Sequence, residues 1–217
     1  MLALVLAVAC SCGRSSGGAK ESPGKTVKQD DNAATGTGTA TGTETATGPG
    51  EGIRSGEPAT PDQVMQWALD GELGKVKSAL EAGADPNMPD PDGRTALMFA
   101  AFNGHSGIVL ELLDQGAGVD RRDLMGRTAL LYAATGPFPG TVKILLDRGA
   151  QPNVVDTDEH FSPLMHAAAE GNLEVVKVLL EAGADASLKD VDGDDAAFFA
   201  RQAGHGGVAD LIESRMK

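Results

Sequence analysis

The sequence predicts an all-α solenoid of stacked helix-turn-helix units with projecting loops, preceded by a disordered linker, and three observations carry that expectation. The first is recurrence. TALMFAAFNGHSGIVLELLDQGA from Thr95 returns as TALLYAATGPFPGTVKILLDRGA from Thr128, 33 residues later, and the same position falls at Ser162 after 34 more and at Asp195 after another 33. A fixed step of this size marks a repeat array. The second is punctuation: Gly83, Gly116, Gly149 and Gly183 keep the same steps, each where a helix ends in a left-handed turn that is cheap only for glycine. The third is surplus apolar surface. A two-helix hairpin this short cannot bury its apolar sides alone and needs a neighbour.

The clearest copy is SPLMHAAAEGNLEVVKVLLEAGADAS, Ser162 to Ser187. Ser162 is placed to cap the first helix and Pro163 to open it, where a missing N–H costs nothing. Ala167, Ala168 and Ala169 give that helix a thin side for close backbone approach. Gly171 and Asn172 break the run, and a second helix then carries Leu173, Val176 and Leu180 at helical spacing.

With these residues in view, the chain resembles the ankyrin-repeat family. The family's threonine-proline-leucine-histidine, alanine-alanine and glycine-alanine-aspartate elements recur with local changes from about Thr60 to Lys217. The resemblance implies L-shaped repeats joined by hairpin-like loops, with a concave surface that binds other proteins. The expected divisions are 1–12, a lipoprotein-type signal; 13–59, a tether; and repeats at 60–89, 90–122, 123–155, 156–189 and 190–217, the first and last acting as caps.

The leader reads MLALVLAVACSCG. Its apolar run from Leu2 to Ala9 is too short to span a bilayer. Leu6-Ala7-Val8-Ala9-Cys10 resembles the cleavage box of bacterial lipoproteins, which implies lipidation at Cys10, with Ala9-Cys10-Ser11-Cys12 as a second candidate. No Lys or Arg precedes the run, unlike a usual secretory signal; the alternative is an apolar end on a cytoplasmic protein. The expected location is the cell envelope, facing the periplasm or exterior. Both cysteines lie in the leader, so the repeats must hold by packing without disulfides.

From Gly13 to Ala59 the chain is rich in Gly, Ser and Thr, including TGTGTATGTETATGPG. It has almost nothing to bury in return for the entropy of ordering. With five basic and six acidic residues, this segment accounts for only −1 of the formal net charge of −13, and the leader is uncharged. The excess therefore belongs to the repeats. Such a surface repels phosphate backbones, which argues against nucleic acid and leaves membrane contact to the N-terminal lipid. A monomer is expected.

In the first repeat, Gln63 and Gln66 replace apolar or small residues, as a cap with one wetted side requires, and Trp67 takes the slot of Ala100 and Ala133. In the second, Phe102 and Asn103 occupy positions that the resemblance turns toward the concave groove. Gly104-His105-Ser106-Gly107 lacks the second glycine of a nucleophile elbow, since Ile108 stands there. In the third, Gly136-Pro137-Phe138-Pro139-Gly140 must shorten or distort the adjoining helix ends. Phe138 either meets a partner or folds inward. The loop before it, Arg121 to Arg127, places Leu124 and Met125 at a tip. Its three arginines, Arg121, Arg122 and Arg127, joined by Arg94, either form a basic patch for a carboxylate-rich partner or pair locally with Asp120 and Asp123.

His166 takes the slot of Phe99, Tyr132 and Phe199 and reads as a hydrogen-bonded packing histidine. Asp190, Asp192 and Asp194 alternate like the start of a calcium loop, but Asp195 and Arg201 stand where glycine and glutamate belong. Arg201 and Glu213 make the last repeat a closing cap. No cofactor site, metal cluster or activated nucleophile is legible. The expectation is a non-catalytic module that binds another protein through Arg94, Phe102, Asn103, Arg122, Leu124, Met125, Arg127, Phe138 and Glu170. The alternative is a calcium-responsive surface module using Asp156 to Asp158 and Asp190 to Asp194; hydrolysis is the weakest reading.

Overall fold

The computed structural model describes residues 59–216; Cys10, Cys12 and the tether as far as residue 58 lie outside them. Among the described residues the chain forms ten helices and no strand. They pair as α1 Pro61–Asp70 with α2 Leu73–Glu81, α3 Ala96–Phe102 with α4 Ser106–Asp114, α5 Ala129–Ala134 with α6 Pro139–Asp147, α7 Pro163–Ala169 with α8 Leu173–Glu181, and α9 Ala196–Gln202 with α10 Gly206–Arg215. First helices pack on first helices down the array, and second on second. This is the expected all-α repeat solenoid.

Local chemistry starts each first helix. Thr128 Oγ1 accepts from Leu131 N, Ser162 Oγ from Met165 N and Asp195 Oδ1 from Phe198 N, which satisfies otherwise orphaned amides. At α1 the cap is Thr60, and Gln63 Oε1 accepts from the Thr60 amide at 3.0 Å. Gln63 therefore completes a capping box as well as facing water. Gln66 is exposed and donates to Asp70 Oδ1.

The alanine pairs lie where hairpins approach most closely: Ala100, Ala101, Ala133, Ala134, Ala167 and Ala168 are fully buried. Around them Leu97, Leu130, Leu164, Leu112, Leu145, Leu179 and Ile212 form one continuous core. Trp67 packs against its N-terminal end. One expected apolar series needs correction. On α8 the buried residues are Val175, Val176, Leu179 and Leu180, whereas Leu173 is 40% exposed. Leu173 is the first residue of its helix, where the core no longer covers it. Arg201 and Glu213 pair across the outer side of the last repeat, as a closing cap allows.

The inter-helix turns use a second device. Gly71, Gly104 and Gly171 have φ of +81°, +71° and +69°, and each lies under a ring from the next repeat: His105, Phe138 and His205 respectively. A Cβ on Gly71 would stand 2.7 Å from the His105 ring, so these glycines serve both backbone sign and close approach. In the third repeat Pro137 replaces the glycine, and the residue above it is Asn172, which donates to Thr135 O instead of stacking. The prolines shorten α5 to six residues against seven for α3, but α6 keeps the nine residues of α4 because Pro139 sits at its first position. Phe138 is half-buried over Gly104 and Gly136, the inward alternative.

Candidate functional site: the aromatic row and its loops

Each projecting loop is closed by an aspartate. Asp90 Oδ1 accepts from the amides of Asp92 and Arg94, Asp123 Oδ1 from those of Met125 and Arg127, and Asp190 Oδ1 from those of Asp192 and Asp194. The left-handed corner is glycine at Gly93, Gly126 and Gly193. In the fourth repeat, where the loop is one residue longer, His160 takes the corner at φ +59°, and Asp156 Oδ1 accepts from Glu159 and Phe161. One backbone bond links each loop to the next: Leu124 N to Asp92 O, Thr157 N to Met125 O and Val191 N to Glu159 O. The loops thus make a continuous rim.

Beside this rim runs a row of half-buried side chains, one from each of the second to fifth repeats: Phe99, Tyr132, His166 and Phe199. The loops supply their company. The Arg94 guanidinium lies 5.2 Å from the Phe99 ring centre and Arg127 lies 5.0 Å from that of Tyr132. Phe161 meets His166 at 5.4 Å and Phe199 at 4.8 Å, both edge to face. Phe102 meets Tyr132 at 6.2 Å in the same manner. At the N-terminal end of the row lies a shallow recess of about 220 Å³, lined by Asp62, Met65, Gln66, Leu69 and Phe99 among others.

Charge in the first half of the row is internally compensated. Arg94 bonds Asp90 and Asp92, each at 2.8 Å, and Arg127 bonds Asp123 at 3.0 Å. The Asp123 side chain is 1% exposed and also accepts from the Tyr132 hydroxyl at 2.7 Å. Burial, then the bond to Asp123, pushes the Tyr132 phenol far above its usual range against the pull of Arg127. Arg127 is therefore paired with Asp123 as the second alternative had it, and Arg94 is held by the aspartates of its own loop, whereas Arg121 and Arg122 are exposed.

His166 is pushed down to about 4, first by burial and further by Arg127, against the raising influence of Asp156. It is neutral at physiological pH. Its packing role matches expectation, through Phe161, but among the described residues no hydrogen bond to its ring is found.

Of the other expected contact residues, Leu124 is 73% exposed and Met125 40%, together at a loop tip. Asn103 is exposed and donates to Leu69 O at 2.7 Å, bridging two repeats. Arg122 is exposed and reaches Val155 O at 3.5 Å. Glu170 is exposed at the end of α7. The structure thus brings Phe102 and Arg127 together around Tyr132, with Arg94 one repeat away over Phe99. The row residues Phe99, Tyr132, His166 and Phe199 belong to the same face but read in the sequence only as packing positions. The signal was their 33, 34 and 33 spacing combined with polar-tipped Tyr and His in an apolar slot.

Ser106 Oγ bonds Thr141 Oγ1 at 2.7 Å between repeats, and His105 Nε2 reaches Leu69 O, so neither addresses the other. Among the described residues there is no group of three or more His, Cys, Asp or Glu placed to hold a metal ion. Asp190 is already occupied with loop amides. No described helix is long and apolar enough to cross a membrane.

Stacked helical hairpins with a loop rim and a row of half-buried rings define a repeat scaffold that presents an extended surface. The model of the family described as ankyrin repeats, in three copies, matches residues 64–156 and again 138–216. The chain belongs to that family. No curated protein matches it. Ankyrin repeats mediate binding to other proteins, so the chain is a protein–protein interaction module.

Proposed function

We propose that the chain is a non-catalytic, membrane-tethered module that holds another protein against its aromatic row and loop tips in the cell envelope. The observation that supports it best is the apolar tip formed by Leu124 and Met125 on the same rim that flanks Phe99, Tyr132, His166 and Phe199. Large apolar side chains at the end of a loop contribute nothing to the core, and rings with polar neighbours are what recognition surfaces are built from. The tether reading rests on Leu6 to Cys10 and on the Gly-, Thr- and Ser-rich stretch that follows.

The test is recovery of the partner from envelope extracts on full-length Leu124→Glu and Met125→Ala chains, with melting curves as a folding control. Loss of partner from a folded variant is expected; undiminished recovery on both contradicts the assignment. For the tether, Cys10→Ser should abolish incorporation of labelled fatty acid, and continued labelling would contradict it.

A further inference from the structure

We propose that the C-terminal half of this face receives a cationic side chain, arginine or lysine, carried by an extended basic segment of the partner protein. This rests on the reading that the row and rim are the docking face, and specifies what docks there.

The chain itself supplies the template. In the second repeat a loop aspartate, Asp90, holds Arg94 over Phe99, and in the third Asp123 holds Arg127 over Tyr132. Carboxylate, cation and ring form one unit, in which the ring face attracts the cation and the carboxylate fixes its direction. In the fifth repeat the same loop is built on Asp190 with the same pair of amide bonds, and the same ring position holds Phe199. The residue in the arginine's place, however, is Asp194. Among the described residues no cation lies over Phe199. In the fourth repeat the arginine's place is taken by Phe161, which adds a ring against both His166 and Phe199. Two parts of the unit are therefore present in excess and the third is missing.

Charge along the rim points the same way. The loops of the last two repeats carry Asp156, Asp158, Glu159, Asp190, Asp192 and Asp194. The nearby lysine, Lys189, turns its ammonium to the Gly193 carbonyl instead. His166, neutral, offsets nothing. Local desolvation, then the like charges of Asp190 and Asp192, pushes the Asp194 carboxyl up against the pull of Lys189, the mark of carboxylates crowded beyond what one nearby cation offsets. The first half of the face has its cations built in; the second half is complementary to cations brought from outside. A carboxylate-rich partner, which free arginines would have suited, is disfavoured here.

The probe is a twelve-residue peptide alternating arginine with glycine and serine, titrated into the full chain by fluorescence anisotropy, beside the same peptide with glutamate. The arginine peptide should bind and the glutamate peptide should not. Asp192→Asn with Asp194→Asn, or Phe199→Leu, should weaken binding roughly tenfold, while Glu181→Gln, an exposed charge at the end of α8, should leave it unchanged. Equal loss in the Glu181 variant means diffuse attraction to an acidic protein and overturns the proposal, as does absence of arginine-peptide binding. A rise in melting temperature with millimolar calcium that Asp194→Asn abolishes would assign these carboxylates to a metal and likewise overturn it. In the partner pull-down, sensitivity to Leu124→Glu but not to the Asp192 and Asp194 changes keeps the docking face and removes the cation site. Indifference to both removes the docking face itself.

Discussion

Leu173 and Leu179 share one helix, six residues apart, and separate the packing account from simple hydrophobicity. Leu179 is 0% exposed and lies between neighbouring second helices, whereas Leu173 is 40% exposed at the start of α8. Truncating a fully enclosed leucine removes its transfer free energy and leaves a cavity, at about 2–5 kcal/mol. For an array of this size each kcal/mol lowers Tm by about 2–4 °C, so Leu179→Ala should melt roughly 4–20 °C early. Leu173→Ala gives up surface already in water and gains helix propensity, so its change should stay within about 1 kcal/mol. Urea unfolding of both full-length variants, followed by circular dichroism at 222 nm, measures the difference. Equal losses, or a Leu179→Ala loss below about 1 kcal/mol, would refute the assigned helix sides.

Two further expectations rest on other contacts. Gly104→Ala places a Cβ against the Phe138 ring at φ +71° and should cost about 1–3 kcal/mol, while Gly74→Ala, inside α2 with open space around it, should stabilise by roughly 0.5–1 kcal/mol; chemical denaturation compares them. His166 has a folded pKa depressed to about 4, so the unfolded chain binds a proton that the folded chain refuses as pH falls from about 6.5 toward 4. Stability should therefore drop across that window and be unaffected by this group above it. His166→Phe, matching Phe99 and Phe199, should flatten the drop in a pH series of urea midpoints; an unchanged slope would contradict the burial of this ring.

The repeat array was legible because its signals are local. Thr128, Ser162 and Asp195 cap helices through bonds to residues three positions away, and the turn glycines answer to a backbone angle, so sequence spacing alone locates them. The candidate face was less legible because it depends on relations between repeats. Phe99, Tyr132, His166 and Phe199 look like core positions until the side left uncovered by the stack is known. Arg94 and Arg127 look like a basic patch until Asp90 and Asp123, four residues earlier, are seen to fold back under them. Leu173 fits a helical stripe as well as Val175 does, and only the position of the adjacent hairpin decides between them. His160 gave no sign of its left-handed corner, since the inserted residue hid its equivalence to Gly93 and Gly126.

The most direct measurement is site-specific photocrosslinking in the native cell, with the photoreactive residue placed at Leu124, Tyr132 or Phe199 and, for comparison, at Leu110, exposed on the second-helix row. A single partner protein captured from the first three positions and not from Leu110 is the predicted result. Capture from Leu110 with none from the aromatic row or the loop tip would contradict the account.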